Sequence, residues 1–445
     1  DDRIVMANSN PELYPPRTFS IGQLAEGTDL QDWASTLDSQ FIQRMVSEDA
    51  GDWVNYVKGA ILRLQHRFSE RSLKGLDAYV TSNLPVAAGL SSSSALVVAT
   101  AEIMTESNAL NIRPLGFVDL CGEGEWFVGT RGGSADHAAM KFGREGEVVT
   151  VSFFPFEVIG RCSFPEDYRM VVCHSGTSAN KTGGARARFN ANVACYHIAR
   201  EMVRQRLPAR RDRIEHLRDI NCENLDLSLT ALYGLLRDLP ETLGPRQAEK
   251  MAQDYPRVQH ALSGVNLDEV TFRPRDLALY GLAECARSRR APSLLQNEDV
   301  DTFGRVMDIS HNGDRVVKWN GARAPYDSHA TAERVERLIR ASGQLLPLEE
   351  SGAALWQQPG AYDCSTPEID RMVDIAQQVP GVAGAQISGA GLGGCIMVLV
   401  ETDRLEQLQN RMREEYYEPV DVEPQMFVCR PAGGSRVLTS REPHQ

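Results

Sequence analysis

No apolar run in the 445 residues approaches the roughly 20 needed to cross a bilayer. The opening Asp1-Asp2-Arg3 has neither the basic start nor the apolar stretch of a signal peptide, so a cytoplasmic protein without a membrane partner is expected. Positive charge is also scarce: 47 Lys and Arg stand against 60 Asp and Glu, a net charge of -13, which opposes binding to DNA, RNA or anionic lipid. The nine cysteines are odd in number, scattered and without a CxxC spacing. That pattern excludes a disulfide framework or a cysteine zinc site and predicts reduced thiols. The histidines lack an HExxH pair, no GxxxxGK[ST] phosphate loop occurs, and no GxSxG elbow marks a serine hydrolase.

What is present is a chain with 42% apolar residues, long enough that two lobes around a shared cleft are expected. Trp53, Val57, Ala60, Ile61 and Leu64 recur at helical spacing and predict an amphipathic helix. Leu76, Ala78 and Val80 alternate with polar neighbours as a half-buried strand does, and the apolar run from Ala95 to Met104 predicts a buried helix. Further strands are predicted at Val148–Phe153, Met170–His174, Cys395–Val400 and Met426–Arg430. Residues 185–345 are richer in helical patterns and arginine, and Asn312–Gly360, weakly periodic with several glycines and prolines, is expected to be a mobile insertion. The pattern is α+β, with boundaries expected at 1–165 for a mixed first lobe and 166–445 for a more helical second lobe that ends in strands.

Between the predicted strand and the buried helix lies Pro85-Val86-Ala87-Ala88-Gly89-Leu90-Ser91-Ser92-Ser93-Ser94-Ala95. A triphosphate needs inward backbone N–H groups, a positive helix N-terminus and small residues that let its oxygens approach. This loop supplies them: Gly89 reaches conformations closed to other residues, and the serines can bind phosphate oxygen or ligate magnesium. The same serines also suit a plain helix cap. Residues Pro85 and Ala88 to Ala95 are therefore the candidate ATP-binding segment, with Ser94 a candidate Mg²⁺ ligand.

A second segment, Gly129-Thr130-Arg131-Gly132-Gly133-Ser134-Ala135-Asp136-His137, follows a predicted helix carrying Glu123 and Glu125. A carboxylate beyond a glycine turn can accept a hydroxyl proton and orient the oxygen for attack on a γ-phosphoryl group. Asp136 is the candidate base, although a helix N-cap aspartate is the plain alternative. Glu125 is the candidate second metal ligand. The third segment, Ser388-Gly389-Ala390-Gly391-Leu392-Gly393-Gly394, contains a formal GxGxxG but precedes the strand-like Cys395–Val400, whereas a dinucleotide fingerprint must open a helix. Gly132, Gly133, Gly389, Gly391 and Gly393 are candidates for a substrate or phosphate loop, and a hairpin without a ligand is the alternative for the third segment.

Taken in order, these three segments resemble the motifs of the GHMP kinase superfamily in their galactokinase versions. Asp52-Trp53-Val54-Asn55-Tyr56-Val57-Lys58-Gly59, Asp363-Cys364-Ser365-Thr366-Pro367-Glu368-Ile369-Asp370 and Phe427-Val428-Cys429-Arg430-Pro431 are similar to further galactokinase segments. The serine loop and Gly132-Gly133 look closest to N-acetylgalactosamine kinases. The resemblance implies an N-terminal lobe like ribosomal protein S5 domain 2 and a ferredoxin-like C-terminal lobe. It also implies transfer of the ATP γ-phosphoryl group to a small-molecule sugar, usually at the anomeric carbon, with Mg²⁺, Asp136 as catalytic residue and Ser94 or a neighbouring serine on the metal.

The family's opening Arg-Val-Asn-Leu-Ile-Gly-Glu-His-Thr-Asp-Tyr type segment, which carries an arginine beside the catalytic Asp and sugar-binding residues, has no counterpart between Asp1 and Trp53. Asp1–Phe19 looks like the region that follows it, and the absence of an initiating Met favours a trimmed copy over a lost motif. The usual Met-Asp-Gln is Ala135-Asp136-His137 here, and Asn192 stands where the family has an arginine. Two other readings stay open: a ligand-sensing protein that keeps the kinase fold, and a GHMP kinase for another small alcohol.

Overall fold

The computed structural model describes residues 1–26, 28, 32–86, 89–129, 132–153, 155–177, 184–263, 265–267, 270–389 and 391–438, without the side chains of 184–187. The chain divides into two compact units: Asp1–Val86, Leu90–Phe164 and Arg430–Gln445 form the first, Ala87–Gly89 and Pro165–Cys429 the second.

In the first unit β1 (Arg3–Asn8) is the centre of a three-stranded sheet, antiparallel to β2 (Arg17–Ser20) and parallel to β3 (Leu76–Val80). A parallel neighbour requires a crossover, and the crossing helix is Val54–Arg67. Val57, Ala60, Ile61 and Leu64, each at most 2% exposed, form the stripe as the spacing predicts, but Trp53 is the half-buried N-cap and Val54 takes its place in the buried face. They share a core with Ile4 and Met6 of the sheet and with Val97, Ala101 and Met104 of helix Ser92–Ser107. A hairpin of β4 (Glu147–Ser152) and β5 (Glu157–Ser163) also belongs to this unit.

Helix Val54–Arg67 crosses helix Pro114–Glu125 at closest range through two glycines. A Cβ on Gly59 would lie 2.3 Å from the Gly124 carbonyl oxygen, and one on Gly124 would lie 3.3 Å from Ala60 Cα. Only a hydrogen side chain permits that approach at Gly59, and a Cβ at Gly124 would press on Ala60. The crossing fixes the end of the second helix, and with it the neighbouring Glu125.

In the second unit β6 (Tyr168–His174) lies between β11 (Met426–Cys429) and β10 (Cys395–Glu401), with β9 (Val382–Ile387) beyond, in the order β11-β6-β10-β9 and antiparallel throughout. Val171, Ile396 and Val398 project into one core with Ile369 and Val373 of helix Pro367–Ala376 and with Leu408 and Met412 of helix Leu405–Met412. The middle of the chain is helical, as expected, and includes Gly184–Arg206, Pro274–Gln296 and Val300–Asp314.

Asn312–Gly360, expected to be a mobile insertion of weak periodicity, contains regular elements. It holds the hairpin of β7 (Val317–Trp319) and β8 (Arg323–Pro325) and helix Ala332–Ser342. Its anchors are polar: Asp370 accepts from the backbone N–H groups of Val316 and Val317 at 3.0 and 2.8 Å, and Tyr233 donates its hydroxyl to the Ala353 carbonyl at 2.7 Å. Arg287, 1% exposed, donates to the carbonyls of Trp356 and Gln358. Bonds of this kind leave no hydrophobic period in the sequence, whereas helix Ala332–Ser342 does carry an apolar stripe, Val335, Leu338 and Ile339, that packs with Leu232 and Leu236.

Beneath the third glycine segment, Asp314 is 5% exposed and accepts from Cys364 Sγ at 3.2 Å and the Tyr280 hydroxyl at 3.3 Å. Burial pushes its carboxyl up from an ordinary 3.8 to about 7; Glu284 adds to the rise, while Cys364, Tyr280 and Arg287 oppose it. A raised folded-state value means that the group's contribution to stability is full below about pH 4 and is lost as pH rises through about 7. Asp314→Asn, which carries no charge, should gain in melting temperature relative to wild type between pH 4.5 and 7.5. A difference independent of pH would contradict this account of Asp314.

Candidate active site

Three helix ends converge in the first unit: the start of Ser92–Ser107, the end of Pro114–Glu125 and the start of Ala135–Phe142, each packed on the other two. The serines decide between a helix cap and a functional role. Ser91 stands at the N-cap with φ +53°, a left-handed conformation that costs a non-glycine residue of order 1 kcal/mol and clusters at functional sites. It makes no capping hydrogen bond. Its Oγ instead donates to Asp136 Oδ2 at 2.6 Å. Ser93 Oγ and Ser94 Oγ donate to Glu125 Oε1 and Oε2, both at 2.8 Å. All three hydroxyls thus face carboxylates on other helices.

Asp136 is likewise not the cap of its own helix. Ser134 holds that position, and Asp136 lies in the first turn with an exposed carboxylate. Glu125 is different, with a side chain only 18% exposed. Burial pushes its carboxyl upward, yet the His137 imidazole beside it and the hydroxyl donors Ser93 and Ser94 outweigh that effect and hold it below the ordinary carboxylate range. Among the described residues no group of three or more His, Cys, Asp or Glu surrounds a metal position. One carboxylate with two hydroxyls is instead the hard-oxygen partial set that fits Mg²⁺, an ion that takes its remaining ligands from water and phosphate.

The other candidate residues separate. Pro85, Leu90 and Ala95 are half-buried around the serines, and the Ala95 N–H donates to the Ser91 carbonyl at 3.0 Å as the first bond of the helix begun by Ser92. Ala88 lies outside the described residues. Gly132 and Gly133 would each have open space around an added Cβ, and the Gly132 carbonyl accepts from Trp126 Nε1 at 3.0 Å. Crowding therefore does not require glycine at either position.

In the second unit, Ser388–Gly394 connects β9 to β10, so the GxGxxG is a loop between antiparallel strands. Gly389, Gly391 and Gly393 have φ of +76°, +83° and +120°. Gly391 packs on Cys364, where a Cβ would lie 2.4 Å from the carbonyl oxygen. Gly89 belongs to this unit, and its carbonyl accepts from Ser388 Oγ at 3.3 Å.

Two residues of the site escaped the sequence reading. His137, 1% exposed, approaches Glu125 Oε2 with Nε2 at 3.1 Å. Tyr56 is half-buried nearby, and burial together with the Glu125 charge pushes its hydroxyl above its ordinary value. His137 was legible only as the neighbour of Asp136, because a helix turns about 100° per residue and sends consecutive side chains to different partners.

The GHMP kinases N terminal domain matches residues 55–144, which include the serine loop, Glu125 and Asp136, and the GHMP kinases C terminal domain matches residues 328–418. The chain belongs to the GHMP kinase superfamily. A galactokinase of Roseiflexus sp. is 25% identical over 402 residues, covering 88% of this chain and 78% of its own. One from Haemophilus influenzae is 21% identical over 445 residues, covering 96% and 90%. The crystal structure of Lactococcus lactis galactokinase complexed with galactose shares the fold with a TM-score of 0.62 at 19% identity, covering 98% of this chain and 84% of that one. Two GHMP domains, of mixed helix and strand, account for the α+β class and the two units. This GHMP kinase is a phosphotransferase that takes its phosphoryl group from ATP and delivers it to an alcohol. No helix among the described residues is long and apolar enough to cross a membrane.

Proposed function

We propose that this GHMP kinase phosphorylates galactose or a closely related sugar at the anomeric hydroxyl, with Mg²⁺, using residues 1–165 as N-terminal lobe and 166–445 as C-terminal lobe. The observation that carries the mechanism is the Asp136 carboxylate, exposed and already accepting an O–H from Ser91 at 2.6 Å. A sugar hydroxyl taking the place of that donor surrenders its proton to Asp136 as its oxygen forms the bond to the γ-phosphorus, the bond from that phosphorus to the bridging oxygen breaks, and ADP leaves. Pro85, Ala88, Gly89 and Leu90 with Ser91, Ser92, Ser93, Ser94 and Ala95 bind the phosphates. Gly132, Gly133, Gly389, Gly391 and Gly393 supply backbone at the substrate or phosphate. Ser94 and Glu125 hold Mg²⁺, which when bound neutralises charge on the phosphates. The support for a sugar acceptor is the galactokinase name shared by the relatives and the galactose in the solved neighbour.

The test is ADP release with ATP, Mg²⁺ and a panel of galactose, N-acetylgalactosamine, arabinose, glucuronate and a heptose. Release that depends on one or more of these sugars is expected. Saturable ATP and sugar binding without release would replace the kinase by a ligand sensor, and release with a non-sugar alcohol alone would move the substrate class.

A further inference from the structure

We infer that His137 is a positioning residue for Glu125, holding that carboxylate in the attitude in which it takes a divalent cation; the inference rests on the kinase reading above. An imidazole with 1% exposure forfeits its hydration, a cost that is recovered only through a polar partner. Neither ring nitrogen makes a hydrogen bond to a described residue, and Nε2 lies 3.1 Å from Glu125 Oε2. Glu125 is the partner that explains a histidine here.

The neighbouring geometry says what this contact does. Glu125 is the last residue of helix Pro114–Glu125, and among the described residues it accepts hydrogen bonds from two serine hydroxyls, Ser93 on Oε1 and Ser94 on Oε2. Hydroxyls rotate freely and have lone pairs of their own to offer a cation, so they anchor the carboxylate only while no cation is bound. The imidazole cannot withdraw in that way, because its ring is buried and its backbone belongs to helix Ala135–Phe142. The same helical turn therefore serves both halves of the chemistry. Asp136 projects to solvent and Ser91, and His137 projects inward to Glu125.

The test uses Mn²⁺ in place of Mg²⁺, read by electron paramagnetic resonance on the full chain with ADP, alongside ADP affinity in EDTA. His137→Leu removes the contact and should weaken Mn²⁺ binding about tenfold, the usual cost of losing a group that orients a metal ligand. ADP affinity in EDTA should stay unchanged. His137→Gln restores an amide donor and should return Mn²⁺ affinity to within about threefold of wild type. If His137→Leu does not fold, His137→Asn, whose amide is too short to reach, should show the same loss.

Unchanged Mn²⁺ affinity in the Leu or Asn variant would overturn the inference. So would an equal loss of metal-free ADP binding, which would mark a purely structural role. Wild-type chain that binds no nucleotide at all would overturn the kinase reading and this inference together, whereas wild-type binding with unaltered variants would overturn the inference alone.

Discussion

Asp136→Asn should lower kcat by about 10²- to 10⁴-fold, the range in which a positioned general base contributes. The substitution keeps the shape of the side chain and its bond from Ser91, and removes only the ability to accept a proton at that oxygen. Because the carboxylate is exposed and lies in the first turn of its helix, little stability depends on it. The variant should therefore melt within a few degrees of wild type and bind ATP with near-normal affinity, so the loss falls on kcat and not on KM for the nucleotide. A kcat within about threefold of wild type would remove Asp136 from the chemistry.

Asp374→Ala should cost about 3–5 kcal/mol of stability, because it leaves a buried cation without its anion. Arg315 is 2% exposed, and its Nη1 lies 2.9 Å from Asp374 Oδ1. Its remaining bonds, to Asn312 Oδ1 and the Val317 carbonyl, supply no countercharge. Asp374 also accepts from the Trp319 N–H at 2.7 Å, so the same substitution orphans a backbone donor of β7. Urea denaturation measures the change. A loss under about 1 kcal/mol would mean that water reaches Arg315 and that the pair behaves as a surface one.

These two residues also show what the amino-acid sequence makes legible. The helix at Val54–Arg67 could be read from Val57, Ala60, Ile61 and Leu64 because apolar burial is what forms it, and the same holds for β6 and β10. The anchors of Asn312–Gly360 could not, since Arg315, Asp370 and Asp374 are charged residues that pattern reading assigns to the surface.

The site divides along the same line. Asp136 and the serines stood out through their glycine-rich setting, but which serine faces which carboxylate depends on the crossing of helices, in particular on Gly59 against Gly124. His137 and Tyr56 carry no local signal, because Glu125, whose charge both meet, lies 12 or more residues away along the chain.

The most direct test of the central claim is phosphorus NMR of the protein incubated with ATP, Mg²⁺ and galactose or whichever sugar in the panel releases most ADP. The account predicts ADP together with a new sugar-phosphate resonance split by the anomeric proton. ADP with inorganic phosphate alone, or ATP left intact despite measurable binding, would contradict it.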